Sequence, residues 1–294
     1  MDTLVIAICT RGRAASLSRL LDCLALQEWP AGASVLVVDN DPSQSARVVV
    51  EQGVDAFPVP LDYVAQEKPG YATVRNSALD RVGAGTAVCF IDDDALVPGG
   101  WVPAMRTAQA SHPTAVIRSR YLHVAQFPES INELSRVIGG GQLSSLQPAG
   151  TSGLLLPSAV VEGFRFDPYF DHSGAEDMDL LARLQEHGFV EHIADAVVVE
   201  EDRVQVMSLA QQRALARWNG RLATIALARR GSSTLGFRWR ALLQALSAWA
   251  NAALRSVLGR RQASAAYRSL AASRWAMVTA PLHPPSSLPA RPVL

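Results

Sequence analysis

The feature that most constrains this chain is the apolar run Ala87-Val-Cys-Phe-Ile91, which stops in three consecutive carboxylates, Asp92, Asp93 and Asp94. A run of this kind, following the loop Val82-Gly-Ala-Gly-Thr86, reads as a strand buried on both faces of a parallel sheet. Open α/β sheets place ligands outside the carboxyl ends of such strands. Adjacent acids roughly 4 Å apart repel by about 1 kcal/mol per pair in water and by several times that near a protein interior. Positive charge is therefore expected among them, and a divalent cation is the simplest source. Hard carboxylate oxygens suit Mg²⁺ or Mn²⁺. The competing structural reading is an acidic turn that caps the next helix.

Two further runs repeat the pattern. Leu4-Val-Ile-Ala-Ile-Cys9 is followed by Thr10-Arg-Gly-Arg13 and a helical period through Leu17, Leu20, Leu21, Leu24 and Leu26. Val35-Leu-Val-Val38 ends in Asp39-Asn40-Asp41-Pro42. Strand, polar loop, helix, strand, polar loop is the grammar of a nucleotide-binding sheet, with the loops at one carboxyl edge. Thr10, Arg11 and Arg13 are then placed to face phosphates, and Asp39 to accept a hydrogen bond from a base or ribose. Lys68-Pro-Gly-Tyr-Ala-Thr-Val-Arg-Asn-Ser-Ala-Leu79 predicts a turn at Gly70 leading into a helix with Arg75 and Asn76 in its first turns. A helix start beside Lys68 and Arg75 suits a diphosphate, because free N–H groups and the macrodipole favour negative charge. By itself an Arg-Asn pair also describes a solvated helix face.

Taken together and in this order, Ile8-Cys-Thr-Arg-Gly-Arg13, Val37-Val-Asp-Asn-Asp41, Gly70-Tyr-Ala-Thr-Val-Arg-Asn76, Phe90-Ile-Asp-Asp-Asp94 and Gly174-Ala-Glu-Asp-Met-Asp179 resemble the family 2 glycosyltransferases of the GT-A fold. The resemblance spans roughly the first two-thirds of the chain. It implies an α/β fold with a Rossmann-like, mostly parallel sheet flanked by helices. It also implies inverting transfer of a sugar from a nucleotide-diphosphate donor, a UDP-sugar first, to an acceptor hydroxyl. On the family pattern Asp39 pairs with the nucleotide base, with Asp41 beside it. The triple acid corresponds to the DXD motif, with Asp92 near the ribose, Asp93 in the donor pocket and Asp94 a direct metal ligand. Asp177 corresponds to the catalytic base.

The chemistry needs the same parts. A departing nucleoside diphosphate gains negative charge, which a cation stabilises where it develops. An acceptor hydroxyl attacks well only when a carboxylate removes its proton. One base opposite the leaving group gives single displacement with inversion. Leu180, Leu181 and Leu184 follow Asp177 at helical spacing, so this acid lies in a first turn, where its structural reading is stabilisation of the helix dipole. Glu176 and Asp179 are rival bases, and Ala175 stands where many relatives have a second Gly. Ala194-Asp-Ala-Val-Val-Val-Glu-Glu-Asp-Arg203 reads as the closing strand, and Glu200 and Glu201 stand where many GT-A enzymes carry a metal-binding His. A carboxylate also suits a hard cation, so Glu200 joins Asp92 and Asp94 as a candidate ligand. His192 reads as a packing or surface residue, and His172 as one that lines the acceptor side or is simply exposed.

Charge divides the chain. Fourteen Arg and no acid follow Asp202, whereas the preceding residues hold 13 basic and 27 acidic side chains. The expected organisation is a catalytic domain over 1–202, with a nucleotide-binding half to about 94 and an acceptor half over 95–202, then a basic amphipathic helical arm over 203–280 and a disordered Pro- and Ser-rich tail over 281–294. In the arm Leu242, Leu246, Trp249, Ala253, Leu254, Val257 and Leu258 share one face, with Arg240, Gln244, Asn251 and Arg255 elsewhere. No run of about 20 apolar residues survives these interruptions, so the expectation is an interfacial helix on an anionic membrane, and the competing reading is a helix packed on protein. A lipid-linked glycan acceptor would suit such an arm.

Three widely spaced cysteines, Cys9, Cys23 and Cys89, argue against a disulfide framework or zinc site, and the immediate first strand leaves no signal-peptide core. The expected location is the cytoplasm, peripheral at the inner face of the plasma membrane. Nucleic-acid binding is not expected, because the arm lacks a stacking platform. A nucleotidylyltransferase normally opens with a longer Gly-rich loop, and a phospho-receiver domain puts its acids after the first strand. A sugar-nucleotide-binding scaffold without turnover is the remaining alternative.

Overall fold

The computed structural model describes residues 2–124, 126–127, 146, 148–201, 216–222, 224–225, 228, 235–257 and 261–280. It forms two compact units, Met1–Asp171 with Leu180–Asp202, and His172–Asp179 with Arg203–Leu294.

The first unit is an eight-stranded sheet in the order β3-β2-β1-β4-β7-β6-β8-β5. Its strands are β1 (Thr3–Thr10), β2 (Ser34–Asp39), β3 (Leu61–Ala65), β4 (Thr86–Asp92), β5 (Ala95–Leu96), β6 (Val116–Val124), β7 (Leu154–Leu156) and β8 (Glu191–Glu201). The three apolar runs of the first half became the parallel core β2-β1-β4, extended by β3. Each is packed on both faces, with the period-two alternation of a strand. Leu4, Ile6, Ile8, Val35, Val37, Cys89 and Ile91 point into one apolar cluster, and Val5, Ala7, Leu36, Val38, Val88 and Phe90 into another. Full burial of such side chains is worth about 1.5–3 kcal/mol each, which is why these runs have no polar face.

Helix α1 (Ala14–Ala25) buries Leu17, Leu20, Leu21 and Leu24 against the first cluster. Leu26, expected in the same period, instead follows the helix end and is exposed. Helix α2 (Arg47–Gly53) covers the same side, and α3 (Tyr71–Leu79) packs Ala72, Val74, Ala78 and Leu79 on the other. Helices α4 (Trp101–Ser111) and α5 (Ser158–Gly163) complete the layers, and Leu180 and Leu184 of α6 (Glu176–Glu186) join the second cluster. Beyond β4 the sheet becomes mixed, because β7 pairs antiparallel with both β4 and β6 while β6 and β8 run parallel. The acidic turn does not cap a helix. It leads into β5, and α4 starts later, after Gly100 at φ +81°, with no acid in its first turn. Cys23 and Cys89 are buried, Cys9 is half-buried, and none of the three forms a disulfide.

In the second unit, α7 (Leu235–Val257) and α8 (Arg261–Thr279) lie along each other. Arg238 near the start of α7 donates to the Val278 carbonyl near the end of α8 at 2.8 Å, an antiparallel arrangement. Helix α7 buries Ala241, Ala245, Ala248 and Ala252, spaced to share one face. Its large apolar residues Trp239, Leu243, Leu246 and Trp249 are exposed, and Trp249 meets Trp275 at 5.5 Å between ring centroids. No helix among the described residues is long and apolar enough to cross a membrane. The side chains of Leu254, Val257 and Leu258, and the tail over 281–294, lie outside the described residues.

Candidate active site

Register builds the site. Thr10 pairs with Asp39, and Cys9 with Asp92, so β1, β2 and β4 end level and deliver their polar ends to one edge. The short β5 then pairs with the far end of β8, with Ala95 opposite Glu200. That pairing carries Glu200 to the acidic turn from more than a hundred residues away. One ligand atom each from Asp92, Asp94 and Glu200 lies within 4.8 Å of the others.

Two guanidinium groups share this edge. Arg75 is buried and donates to Asp92 Oδ1 at 3.2 Å, Thr151 Oγ1 at 3.0 Å and the Tyr71 carbonyl at 3.1 Å. Arg13 Nη1 bridges Asp93 Oδ1 at 2.9 Å and Asp94 Oδ2 at 2.8 Å. Thr10 Oγ1 donates to the other oxygen of buried Asp93 at 2.7 Å. Four carboxylates thus face two cations, and burial followed by the charges of Asp92 and Asp94 pushes Glu200 up to about 8. Its Oε1 is buried without a hydrogen-bond partner. An all-oxygen donor set with excess negative charge and an orphaned buried oxygen fits a hard divalent cation.

The floor of the site is the loop Thr151-Ser152-Gly153. Asp92 N donates to Ser152 Oγ at 3.3 Å, and Gly153 N to the Phe90 carbonyl at 2.7 Å. Gly153 has φ +83°, and a Cβ there would stand 2.5 Å from Ser119 Oγ, so only glycine fits.

The nucleotide side differs from expectation in several places. Asp39 is fully buried, and it accepts from Asp41 N at 2.9 Å, Ala46 N at 3.0 Å and Tyr63 Oη at 3.1 Å. Its carboxylate ties the loop after β2 together, and burial and this charge push the Tyr63 phenol up to about 12. Asp41 is the more accessible acid, held at about 2 by hydrogen bonds from Ser43 and Ser45. At the start of α3, Tyr71 N donates to the Asp171 carbonyl at 2.9 Å, and Thr73 N and Oγ1 donate to the Asp171 carboxylate at 2.7 and 2.6 Å. The donors expected to cradle a diphosphate there are engaged by the chain's own carboxylate. Gly70, at φ +154°, lies so close to Asp171 that a Cβ would collide with it. Asn76 binds both the N–H and the carbonyl of Phe166, at 2.8 and 2.9 Å, and so fastens a loop. Arg11 and Lys68 are exposed.

Thr10, Arg13, Arg75, Asp92, Asp93, Asp94 and Glu200 therefore converge, whereas Asp39 and Asn76 are used in packing. Sequence reasoning missed Asn40 and Asp171. Asn40 accepts from Gly70 N at 3.1 Å and donates to the carbonyls of Gln66 and Lys68, bracing the loop before α3. Its only signal was its place between two noted acids. His192 stacks on His112 at 3.9 Å near the opposite end of β8 from Glu200.

In the second unit, Glu176, Asp177 and Asp179 occupy the first turn of α6. Glu176 and Asp179 are buried, while Asp177 is half-exposed and accepts from Met178 N at 2.8 Å. The preceding Gly174 and Ala175 have φ of +76° and +77°, so Ala175 holds a conformation that glycine adopts without strain. His172 is exposed, and the Ser173 carbonyl accepts from Trp218 Nε1 at 3.0 Å.

Comparison with known proteins agrees with this architecture. The sequence profile described as glycosyl transferase family 2 matches residues 5–139. Over 220 residues the chain is 28% identical to the succinoglycan biosynthesis protein ExoM of Rhizobium meliloti (strain 1021), covering 71% of each. The mannosyltransferase PcManGT of Pyrobaculum calidifontis, solved with GDP-Man and Mn²⁺, superposes with a TM-score of 0.62 at 19% identity, over 94% of this chain and 85% of that one. Residues 1–349 of S. aureus TarS, solved with UDP-GlcNAc, superpose at 0.53 with 18% identity, over 94% and 90%. This chain spans 55% of the longer TarS structure. These superpositions show the GT-A fold. Residues 5–139 thus match glycosyl transferase family 2, and the chain is similar to a protein of succinoglycan biosynthesis over 220 residues.

Proposed function

We propose that this protein transfers a sugar from a nucleotide-diphosphate donor, a UDP-sugar first, to an acceptor hydroxyl with inversion, in polysaccharide or glycoconjugate biosynthesis. The observation that carries the reading is the meeting of Asp92, Asp94 and Glu200 at the carboxyl edge, bracketed by Arg13 and Arg75. Those three carboxylates would hold Mn²⁺ or Mg²⁺, which when bound supplies positive charge for the departing diphosphate. Thr10, Arg11 and Arg13 face the phosphates, Asp93 orients Arg13, and Asp92 lies by the ribose. Asp39 shapes the base pocket by holding its loop, and Asp41 and Lys68 lie at the rim. Gly70 and Asn76 set the backbone around α3, and Arg75 fixes Asp92.

Asp177 takes the acceptor proton. Its half-exposed carboxylate favours it over the buried Glu176. The relatives support the donor class, since the TarS structure holds UDP-GlcNAc and PcManGT holds GDP-Man with Mn²⁺. ExoM's part in succinoglycan biosynthesis supports a glycan product. We assign 1–202 to catalysis and 203–280 to a basic arm. Its exposed Trp and Leu residues, with Arg and no acid, suit an anionic membrane surface and a lipid-linked glycan acceptor at the cytoplasmic face.

The test is a screen of nucleotide sugars for Mn²⁺-dependent hydrolysis and thermal stabilisation, followed by transfer to lipid-linked acceptors. A donor that stabilises the protein with no turnover on any acceptor would favour a non-catalytic sugar-nucleotide scaffold. No stabilisation by any nucleotide sugar, with or without metal, would reject the reading.

A further inference from the structure

The two guanidinium groups of the carboxylate edge are held in different ways. Arg75 is buried and spread over a carbonyl, a hydroxyl and a carboxylate, so it is built into the framework. Arg13 has a side chain 43% exposed, and both of its ion-pair partners are carboxylates of the acidic turn. Its backbone is fixed, since Arg13 is the residue before α1 and its carbonyl accepts from Leu17 N at 3.0 Å. The side chain thus reaches the acidic turn from an anchored backbone, with part of its surface open to solvent.

Its partners also differ. Asp93 is buried and has a second partner, Thr10 Oγ1 at 2.7 Å. Asp94 is one of the three carboxylates whose oxygens converge, and it is the one that Arg13 shares. A guanidinium and a divalent cation drawn to the same carboxylate repel each other and compete for its oxygens. A diphosphate offers Arg13 a better alternative, because its fork of N–H groups matches phosphate oxygens in pairs.

We infer that Arg13 is an exchangeable counter-ion. It neutralises the acidic turn while the donor site is empty, and it passes to the diphosphate when metal and donor arrive together. This rests on the metal reading given above. Its consequence is a linkage: Arg13 lowers the affinity of the empty site for the ion and makes ion and nucleotide bind as a pair. Couplings of this kind typically lie at about 5- to 150-fold in affinity.

The test is titration of the full chain with Mn²⁺, read by electron paramagnetic resonance of the free ion, with and without saturating UDP or GDP. In the wild type a nucleoside diphosphate should tighten Mn²⁺ binding at least about fivefold. Arg13→Gln should bind Mn²⁺ more tightly than wild type in the absence of nucleotide, bind nucleotide more weakly, and lose most of the coupling. Arg13→Lys keeps the charge without the fork, so its nucleotide-free Mn²⁺ affinity should stay near wild type while the coupling falls. If Arg13→Gln leaves nucleotide-free Mn²⁺ affinity unchanged or weaker in a wild type that shows coupling, Arg13 is a fixed brace and the exchange is wrong. Should Arg13→Gln not fold, undiminished coupling in Arg13→Lys overturns the exchange equally. A wild type that binds no Mn²⁺ under any of these conditions overturns the metal reading itself, and the exchange with it.

Discussion

The carboxylate edge and the α7–α8 pair are incomplete in opposite senses. At the edge, charge is drawn inward: Asp93 is buried, Glu200 is pushed up to about 8 and has an orphaned oxygen, and two guanidinium groups face four acids. In the helix pair, apolar surface is turned outward, with alanines buried and Trp239, Leu243, Leu246 and Trp249 exposed. Buried charge without full compensation costs several kcal/mol, and each exposed large apolar side chain forgoes about 1.5–3 kcal/mol of burial. Natural chains retain such features where a ligand or a surface completes them. The contrast teaches that the two regions are left short of different things: compensating charge at the edge, and apolar cover at the helices.

The largest effect should come from the base. Asp177→Asn is expected to keep donor affinity while turnover falls by about 10² to 10⁴. Steady-state kinetics with the identified donor decide it, and an active Asp177→Asn beside an inactive Glu176→Gln would move the base to Glu176. Next, Asp94→Ala should lower turnover by at least about 10², the scale of losing one preorganised electrostatic partner, and remove the enhancement of nucleotide binding by Mn²⁺. Calorimetry of nucleotide with and without the ion measures this, and equal enhancement in both proteins would break the edge side of the comparison.

The helix side is tested by changing Leu246 and Trp249 to Glu. Sedimentation with anionic vesicles should fall by at least about tenfold, and wild-type binding should weaken as salt rises, because the field is screened within about 8 Å. Equal binding to neutral and anionic vesicles, or none, would mean that protein rather than lipid covers this face.

A smaller effect sharpens the edge again. Glu200 has a folded value of about 8 against an ordinary 4.5, so its contribution is fully present below about pH 4.5 and is lost as pH rises through 8. The metal-free protein should lose on the order of a few kcal/mol over that window, and Glu200→Gln should flatten the loss. Denaturant melts at several pH values, with chelator, provide the check. Smallest is Ala175→Gly, expected to stabilise by about 1 kcal/mol by relieving φ +77°. A thermal midpoint that falls would show that the methyl group packs.

The parallel core was legible because period and length carry it: three runs of β-branched and apolar residues, each ending in polar side chains, admit few other structures. The acid cluster was legible for the same reason, since it closes one of those runs. Glu200 was reached through family resemblance, and its partner β5 is two residues long, below what periodicity resolves. Asp171 was not legible, because an aspartate after Pro-Tyr-Phe carries no local sign that it will occupy the start of a helix about 100 residues earlier. The loop-holding contacts of Asp39 and Asn76 were not legible for a related reason. Sequence shows that a polar residue sits at an edge but not whether its side chain turns out to a ligand or in to the backbone. In the arm, the large apolar residues carry the visible periodicity, and the alanine seam between α7 and α8 leaves no comparable signal.

The mixed half of the sheet also orders the chain's birth. β4 finds its second neighbour only when Leu154–Leu156 has been made, since Val88 pairs with Leu156, and β5 waits for Val199 and Glu200. At about 5–20 residues per second, the open edge of β4 stays uncovered on the ribosome for several seconds after β1, β2 and β3 have joined. An unpaired apolar edge is a template for another chain. A nascent or truncated product ending near residue 100 is therefore the form of this protein most exposed to aggregation, and the one whose yield should depend most on chaperones.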